Sequence, residues 1–344
     1  MSDISQRKRE VLYAVVHDFI VSAEPVGSLQ IARKKMIHLS PATIRTVMAE
    51  LEERGYLVRP HSSSGRVPTN QAYRFYVDEL MRLRPLTADE KDQIRQRVHA
   101  GATDLGEVLK EACRLISAKA SQPGLSMVPP THARSLKHIQ FIRLRDRLVL
   151  VILVSATGIV ENKILEMGHG YTQTELDRMH NYLNDRLAGM TIAKVRQQIL
   201  LEMKKAQSLY DQLLTQALIL GERVFSDMPP DVHIEGQSHL CSDPEFADLE
   251  KMQLILRALE EKTAIIKALD QSLASPGVKI FIGEEIQCPE INGLTLVTSA
   301  YSDSEGNRGL LGVIGPTRLD YARIIPLVEF TSKIVTDVLH ENQR

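Results

Sequence analysis

At 344 residues the chain exceeds what one hydrophobic core usually serves, so two or three domains are expected. Its 42 Lys+Arg and 43 Asp+Glu leave a net charge of −1, which excludes a surface wholly devoted to nucleic acid. The average hides an asymmetry: residues 1–84 hold 13 basic and 9 acidic side chains, a net of +4 that leaves −5 on the remainder, so a polyanionic partner is expected at the N-terminus.

In chain order, Leu12, Val15, Val16, Phe19 and Ile20 follow the spacing of a helix with one buried face. Glu24-Pro25-Val26-Gly27 breaks it, Ser28 is expected to cap a short second helix reaching about Lys35, and Ser40-Pro41 opens a third that Gly55 ends. Tyr56-Leu57-Val58 and Arg66-Val67 flank a polar tip, residues 61–65, as a small ribbon. Three helices and a ribbon make a winged helix-turn-helix over residues 1–84. Thr69 starts another helix with Tyr73, Tyr76, Val77 and Leu80 on one face, and Thr87 to Glu90 is a capping box that starts a connector.

Beyond a Pro-containing loop at 121–130, strands are expected at 139–144, 148–154 and 159–165, followed by a helix carrying Leu176, Met179, Leu183 and Leu187. Residues 191–275 read as mostly helical. Strands resume at 278–282, 294–300 and 310–314, the last two joined by a hairpin loop at 302–307, before a final helix at 319–340 that contains Pro326. Two small sheets, or one sheet interrupted by an insert, fit this order. Three strands bury little alone, which favours one six-stranded antiparallel sheet. The expected class is therefore α+β: the head at 1–84, connector helices and the first half of the sheet domain at 85–190, an inserted helical subdomain at 191–275, and the second half at 276–344.

The third helix turns Ile44, Val47, Met48 and Leu51 inward and Ala42, Thr46, Ala49 and Glu53 outward, with Thr43 and Arg45 at the flanks. A small, polar first two turns suits a major groove, where methyl groups meet thymine and arginine meets guanine. The helix start at Ser40 suits a phosphate. Glu50, Glu52 and Glu53 would repel phosphates from the other end. Arg59 and Arg66 bracket the ribbon tip, His61 and Ser63 add donors, and Arg7 to Arg9 with Arg33 to Lys35 supply sequence-independent attraction. A basic cluster at a helix end also merely complements the helix dipole, and winged helices also bind proteins, so the pattern alone leaves both partners open.

Three cysteines, Cys113, Cys241 and Cys288, lack CxxC spacing and read as reduced thiols. The scattered histidines form no metal-ligand set, and no cofactor is expected. Gly168-His169-Gly170 and the run Gly309 to Gly315 lack phosphate-loop spacing, so no catalysis is expected. The longest clean apolar run, 148–154, covers 7 residues where a membrane span needs about 20, and the charged start lacks an apolar stretch, so a cytoplasmic protein without membrane contact is expected.

The stretches EPVGS (24–28), LSPATIR (39–45), ELEERGYL (50–57), GRVPT (65–69) and YRFYVDEL (73–80) resemble the heat-inducible transcription repressor family, HrcA. The likeness is dense over the first 80 residues and looser after. It implies a winged-helix domain, a GAF-like domain and a dimerising subdomain inserted in it, which is taken here as residues 191–275. It further implies repression of chaperone genes by a homodimer on an inverted-repeat operator, the CIRCE element, in double-stranded DNA, with the GroEL chaperonin promoting the active fold. Thr46-Val47 replaces the family's usual Asn-Glu, and Asn70-Gln71-Ala72 its Asp-Lys-Gly. Position 46 faces outward, which puts the family's usual half-site in question. A ligand-responsive winged-helix regulator, sensing a small molecule in the GAF-like body, is the alternative.

Overall fold

A computed structural model gives the fold, and it describes residues 4–34, 37–61, 65–100, 105–128, 135–156, 160–167, 170–191, 194–195, 220, 232–241, 243, 246, 248–273, 277–291, 293–303 and 306–341. The N-terminal helices are α1 (Gln6–Ser22), α2 (Ser28–Ala32) and α3 (Pro41–Glu53), followed by a ribbon of β1 (Leu57–Val58) and β2 (Val67–Pro68). Helix α4 (Asn70–Phe75) runs into a π-helical turn, Tyr76–Leu80. The second helix is shorter than expected: Gly27 occupies the cap position and Ser28 already lies in the helix, so Ser28 is not the cap. Helix α3 ends one residue before Arg54, with Gly55 at φ +79°, a conformation open to glycine without penalty.

Helices α5 (Ala88–Ala100) and α6 (Leu105–Ala120) lead to β3 (Gly124–Met127). Next come β4 (Leu136–Arg145), β5 (Leu148–Ser155), β6 (Val160–Glu166) and α7 (Gln173–Leu187). Then follow β7 (Val232–Glu235), α8 (Ser238–Cys241), α9 (Leu249–Glu261), α10 (Thr263–Leu273), β8 (Val278–Ile282), β9 (Leu294–Ser302), β10 (Arg308–Pro316) and α11 (Tyr321–Glu341), which contains Pro326. The capping box at α5 forms as read: Glu90 N donates to Thr87 Oγ1 at 3.2 Å and Thr87 N to Glu90 Oε2 at 2.9 Å.

The strands do not join into one six-stranded sheet. They form a five-stranded antiparallel sheet in the order β7-β3-β10-β9-β8 and a separate three-stranded sheet, β4-β5-β6. The five-stranded sheet is completed by β3, inside the expected loop at 121–130, and by β7, inside the expected helical stretch. These four-residue strands carry too little alternation to stand out in sequence, and their pairing is decided by their neighbours, β10 for β3 and β3 for β7. Once they supply the missing edge, β4 to β6 have no place in that sheet.

Three cores result. The first runs unbroken from α1 to α3 through α4, α5 and α6 onto one face of the five-stranded sheet, where Val297, Leu311 and Val313 meet Ile324, Val328 and Val335 of α11. The second face of that sheet, with Leu125, Leu296, Leu310 and Ile314, is covered by α9 and α10 through Ile255, Leu259, Ile265 and Leu269. The third core lies between β4 to β6 and α7, where Ile139, Phe141, Val151 and Leu153 pack on Leu176, Met179, Leu183 and Leu187. Val195 and Leu220 join it; Ile199, Leu213 and Ala217 lie outside the described residues, as do Gly168 and His169. Among the described residues no helix is long and apolar enough to cross a membrane.

Candidate nucleic-acid interface

Helix α3 starts where Ser40, in extended backbone, turns its Oγ to accept the Thr43 N–H at 3.1 Å, with Pro41 in the first turn. The two hydroxyls, Ser40 Oγ and Thr43 Oγ1, are 2.8 Å apart. Ile44, Val47, Met48 and Leu51 are buried, which clamps the helix onto α1 and α2 and leaves Ala42, Arg45, Thr46 and Glu53 exposed. Thr46 Oγ1 donates to the Ala42 carbonyl at 3.2 Å, so its hydroxyl is committed to the helix. The outward surface of the first two turns is thus small, with Arg45 as its cation.

The acidic half of α3 is not left bare. Lys8 Nζ lies 2.8 Å from Glu50 Oε2, and Arg66 Nη2 lies 2.8 Å from Glu52 Oε2. The hydrogen bond and charge of Lys8, with smaller effects of Arg54 and Arg7, hold the Glu50 carboxyl below the usual carboxylate range. Two of the three glutamates are therefore matched by cations of the same chain, and Glu53 stays exposed. This removes most of the repulsion expected from that end.

The ribbon pairs Leu57 with Pro68 and Val58 with Val67, and it is widened by Val26, which exchanges two backbone hydrogen bonds of 2.9 Å with Arg66. The stretches EPVGS and GRVPT, bridged through Val26 and Arg66, which lie 40 residues apart in sequence, are thus one structure. Their approach requires Gly65: a Cβ there would lie 2.5 Å from Val26 C and O, inside any real contact.

Arg59 and His61, just beyond β1, are exposed, and Ser63 lies outside the described residues. Arg66 departs from expectation. It is only 7% exposed, and its guanidinium turns inward to Glu52 rather than out toward the tip, because the Val26 bridge fixes its backbone under α3. The flanking basic clusters are also partly engaged within the chain: Arg9 donates to Glu79 and to the Ile4 carbonyl, both at 3.2 Å, and lies over the Phe75 ring at 5.4 Å. Lys34 pairs with the buried Asp18. Arg7 and Arg33 are exposed, and Lys35 lies outside the described residues. The pairings of Lys8 with Glu50 and Arg66 with Glu52 were missed by the sequence reading; opposite charge at distant positions was the only available signal.

The family model for the HrcA protein C terminal domain matches residues 106–325. A heat-inducible transcription repressor HrcA of Geobacter sulfurreducens is 44% identical over 339 residues, 98% of this chain and 99% of that protein. Its counterpart in Syntrophobacter fumaroxidans is 42% identical over 344 residues, 99% of each chain. A crystal structure at 2.2 Å, described as a hypothetical protein, superposes with a TM-score of 0.61 at 21% identity, covering 99% of this chain and 100% of that one; it shares the fold.

Proposed function

This chain belongs to the HrcA family of heat-inducible transcription repressors, and from that premise we propose that its N-terminal helices and ribbon are a winged helix-turn-helix that reads an inverted-repeat operator of the CIRCE kind. The observation that carries the reading is the first two turns of α3: a small exposed surface of Ala42, Thr46 and Arg45 on a helix whose opposite face is locked into the core. Alanine and threonine methyls can approach thymine, Arg45 can donate to guanine, and Ser40 with Thr43 at the helix start can meet a backbone phosphate. Arg59 and His61 extend the contact along the duplex.

The same reading makes the repressor a homodimer, since an inverted repeat matches a two-fold symmetric protein. By analogy with the domain division of that family, our reading assigns dimerisation to a segment inserted in a GAF-like body. Of residues 191–275, most of the first half lies outside the described residues. The described surface best suited to self-association is instead the outer face of β4 to β6. There Leu144, Val160 and Ile164 are 46%, 61% and 60% exposed, an apolar patch of the kind that marks an interface.

Repression that heat relieves also needs a fold that opens and a route back. The unbroken first core favours joint opening of the reading head and the body, and the chaperonin GroEL is the proposed agent of refolding.

The test is a titration of the purified protein, with and without the chaperonin, against labelled duplexes carrying the inverted repeat, one half-site and a scrambled control. Tight binding to the inverted repeat alone is expected. Equal weak binding to all three would overturn the operator reading.

A further inference from the structure

We propose that Arg74 is a positioning residue for operator binding: clasped between Glu285 and the Ile280 carbonyl, it fixes the angle of the reading head on the body and thereby sets the half-site spacing that the dimer accepts. The proposal rests on the operator reading above and goes beyond it.

The YRFYVDEL stretch that contains Arg74 contributes nothing to the outward face of α3. Its side chains instead build a joint. Tyr73 is buried, with its ring 6.3 Å from that of Tyr321 in α11. Tyr76 stacks on Tyr13 of α1 at 5.7 Å. Arg74 reaches furthest: Nε donates to Glu285 Oε1 at 2.9 Å, Nη2 to the Ile280 carbonyl at 2.6 Å and also to Glu285 Oε2, and Nη1 to Asp78 Oδ1 at 3.3 Å. Its target is itself held, because the Ile282 N–H donates to Glu285 Oε2 at 2.9 Å. Strand β8 is an edge of the five-stranded sheet, so Arg74 occupies an outer carbonyl that has no further strand to pair with.

A direct line connects this joint to the reading helix. Thr69 Oγ1 donates to the Gly55 carbonyl just beyond α3 at 2.7 Å, and the same oxygen caps α4 by accepting the Ala72 N–H at 3.3 Å. Arg74 lies one turn further on. On the body side, the turn at Gly283 (φ +55°) comes so close to α4 that a Cβ there would lie 2.4 Å from Asn70 Nδ2. Backbone therefore meets side chain on both sides of the pair, with little room to rock.

As a source of stability the pair is modest, since both side chains are about one-third exposed, at 30% and 38%. As a source of orientation it is strong: a planar fork on a fixed carboxylate and a fixed carbonyl admits one angle, which a lone ammonium would not impose. Leverage amplifies the effect. A tilt of roughly 10° across a head about 20 Å wide moves its far side by about 3.5 Å, one base-pair step.

The test compares wild type with Arg74→Met, Arg74→Lys and Glu285→Gln on a series of operators whose half-site spacing is changed one base pair at a time, alongside an isolated half-site. Wild type is expected to show a narrow optimum, losing about 30-fold or more one or two base pairs away. In Arg74→Met and Glu285→Gln the profile flattens to within about threefold while half-site affinity stays within about twofold of wild type, and Arg74→Lys falls between them. Thermal unfolding identifies any variant that misfolds, and the remaining ones decide. A wild-type optimum that survives all three substitutions, or half-site and full-site binding lost in equal measure, overturns this proposal alone. Wild type that binds every duplex alike overturns the operator reading and this proposal with it.

Discussion

The two sheets of the molecule obey different burial rules. In the five-stranded sheet, β9 and β10 are buried at nearly every position, because helices cover both faces. In the three-stranded sheet, β5 alternates half-buried with buried positions and β6 exposed with half-buried ones, because among the described residues α7, with Val195 and Leu220, packs on one face of it. The contrast reports the number of covered faces directly. Yet the outer residues of β5 and β6 include Leu150, Ile152, Val154, Val160 and Ile164, which water does not favour. A sheet that alternates in burial without alternating in hydrophobicity has a second apolar face, and such a face is a place for a partner.

The largest effect expected from breaking this contrast is on the fully covered sheet. Leu311→Ala, at a position with no exposure, should cost about 2–5 kcal/mol. Because the first core is continuous, calorimetry should show head and body unfolding in one transition at a lower temperature; separate transitions would refute their coupling. Cys113 offers an internal reporter. Burial pushes its thiol up to about 12, so modification should begin only where the fold opens, whereas exposed Cys241 should react at once.

The half-covered sheet should respond differently. Val160→Lys combined with Ile164→Lys is expected to leave the protomer folded while weakening self-association by about 100-fold, roughly 2.7 kcal/mol; sedimentation across a concentration series reads the change. An unaltered dimer would place the interface elsewhere.

Smaller effects are expected in the N-terminal head, where burial of Arg66 and exposure of Arg59 separate two arginines. Arg66→Ala strands Glu52 and should cost about 1–3 kcal/mol of stability, toward the low end because Glu52 is about one-third exposed, at 34%, without changing the salt dependence of DNA binding. Arg59→Ala, at an exposed position, should reduce the slope of log K against log salt by about one unit. The opposite pattern would return Arg66 to the interface. Last, Thr46→Ala should shift preference among half-site bases by about 1 kcal/mol; equal loss on specific and random duplexes would remove Thr46 from the reading set.

Much of this organisation was legible in the chain itself. Periodicity located α1, α3, β5 and β8; Ser40-Pro41 and Gly55 marked the ends of the third helix; Thr87 to Glu90 gave the start of α5. Each signal is local, within one or two turns or a few strand residues. Local geometry acts on neighbours in sequence, and that is why such signals survive without tertiary information.

Tertiary structure decided the rest, for the complementary reason. Strands β3 and β7 exist because β10 has an open edge for β3 and β3 in turn for β7. Arg66 faces inward because Val26, 40 residues earlier, fixes its backbone beneath Glu52. Lys8, Arg9, Lys34 and Arg74 are spent on carboxylates of other elements, and Glu285 lies 211 residues from its arginine. Local pattern located the longer helices and strands, the family that the head resembles, and the face of α3 that looks outward, but not β3 or β7. It did not determine which charges remain for a partner, since a charge is claimed by whatever the fold brings within a few ångströms, and that distance is a property of the packed chain alone.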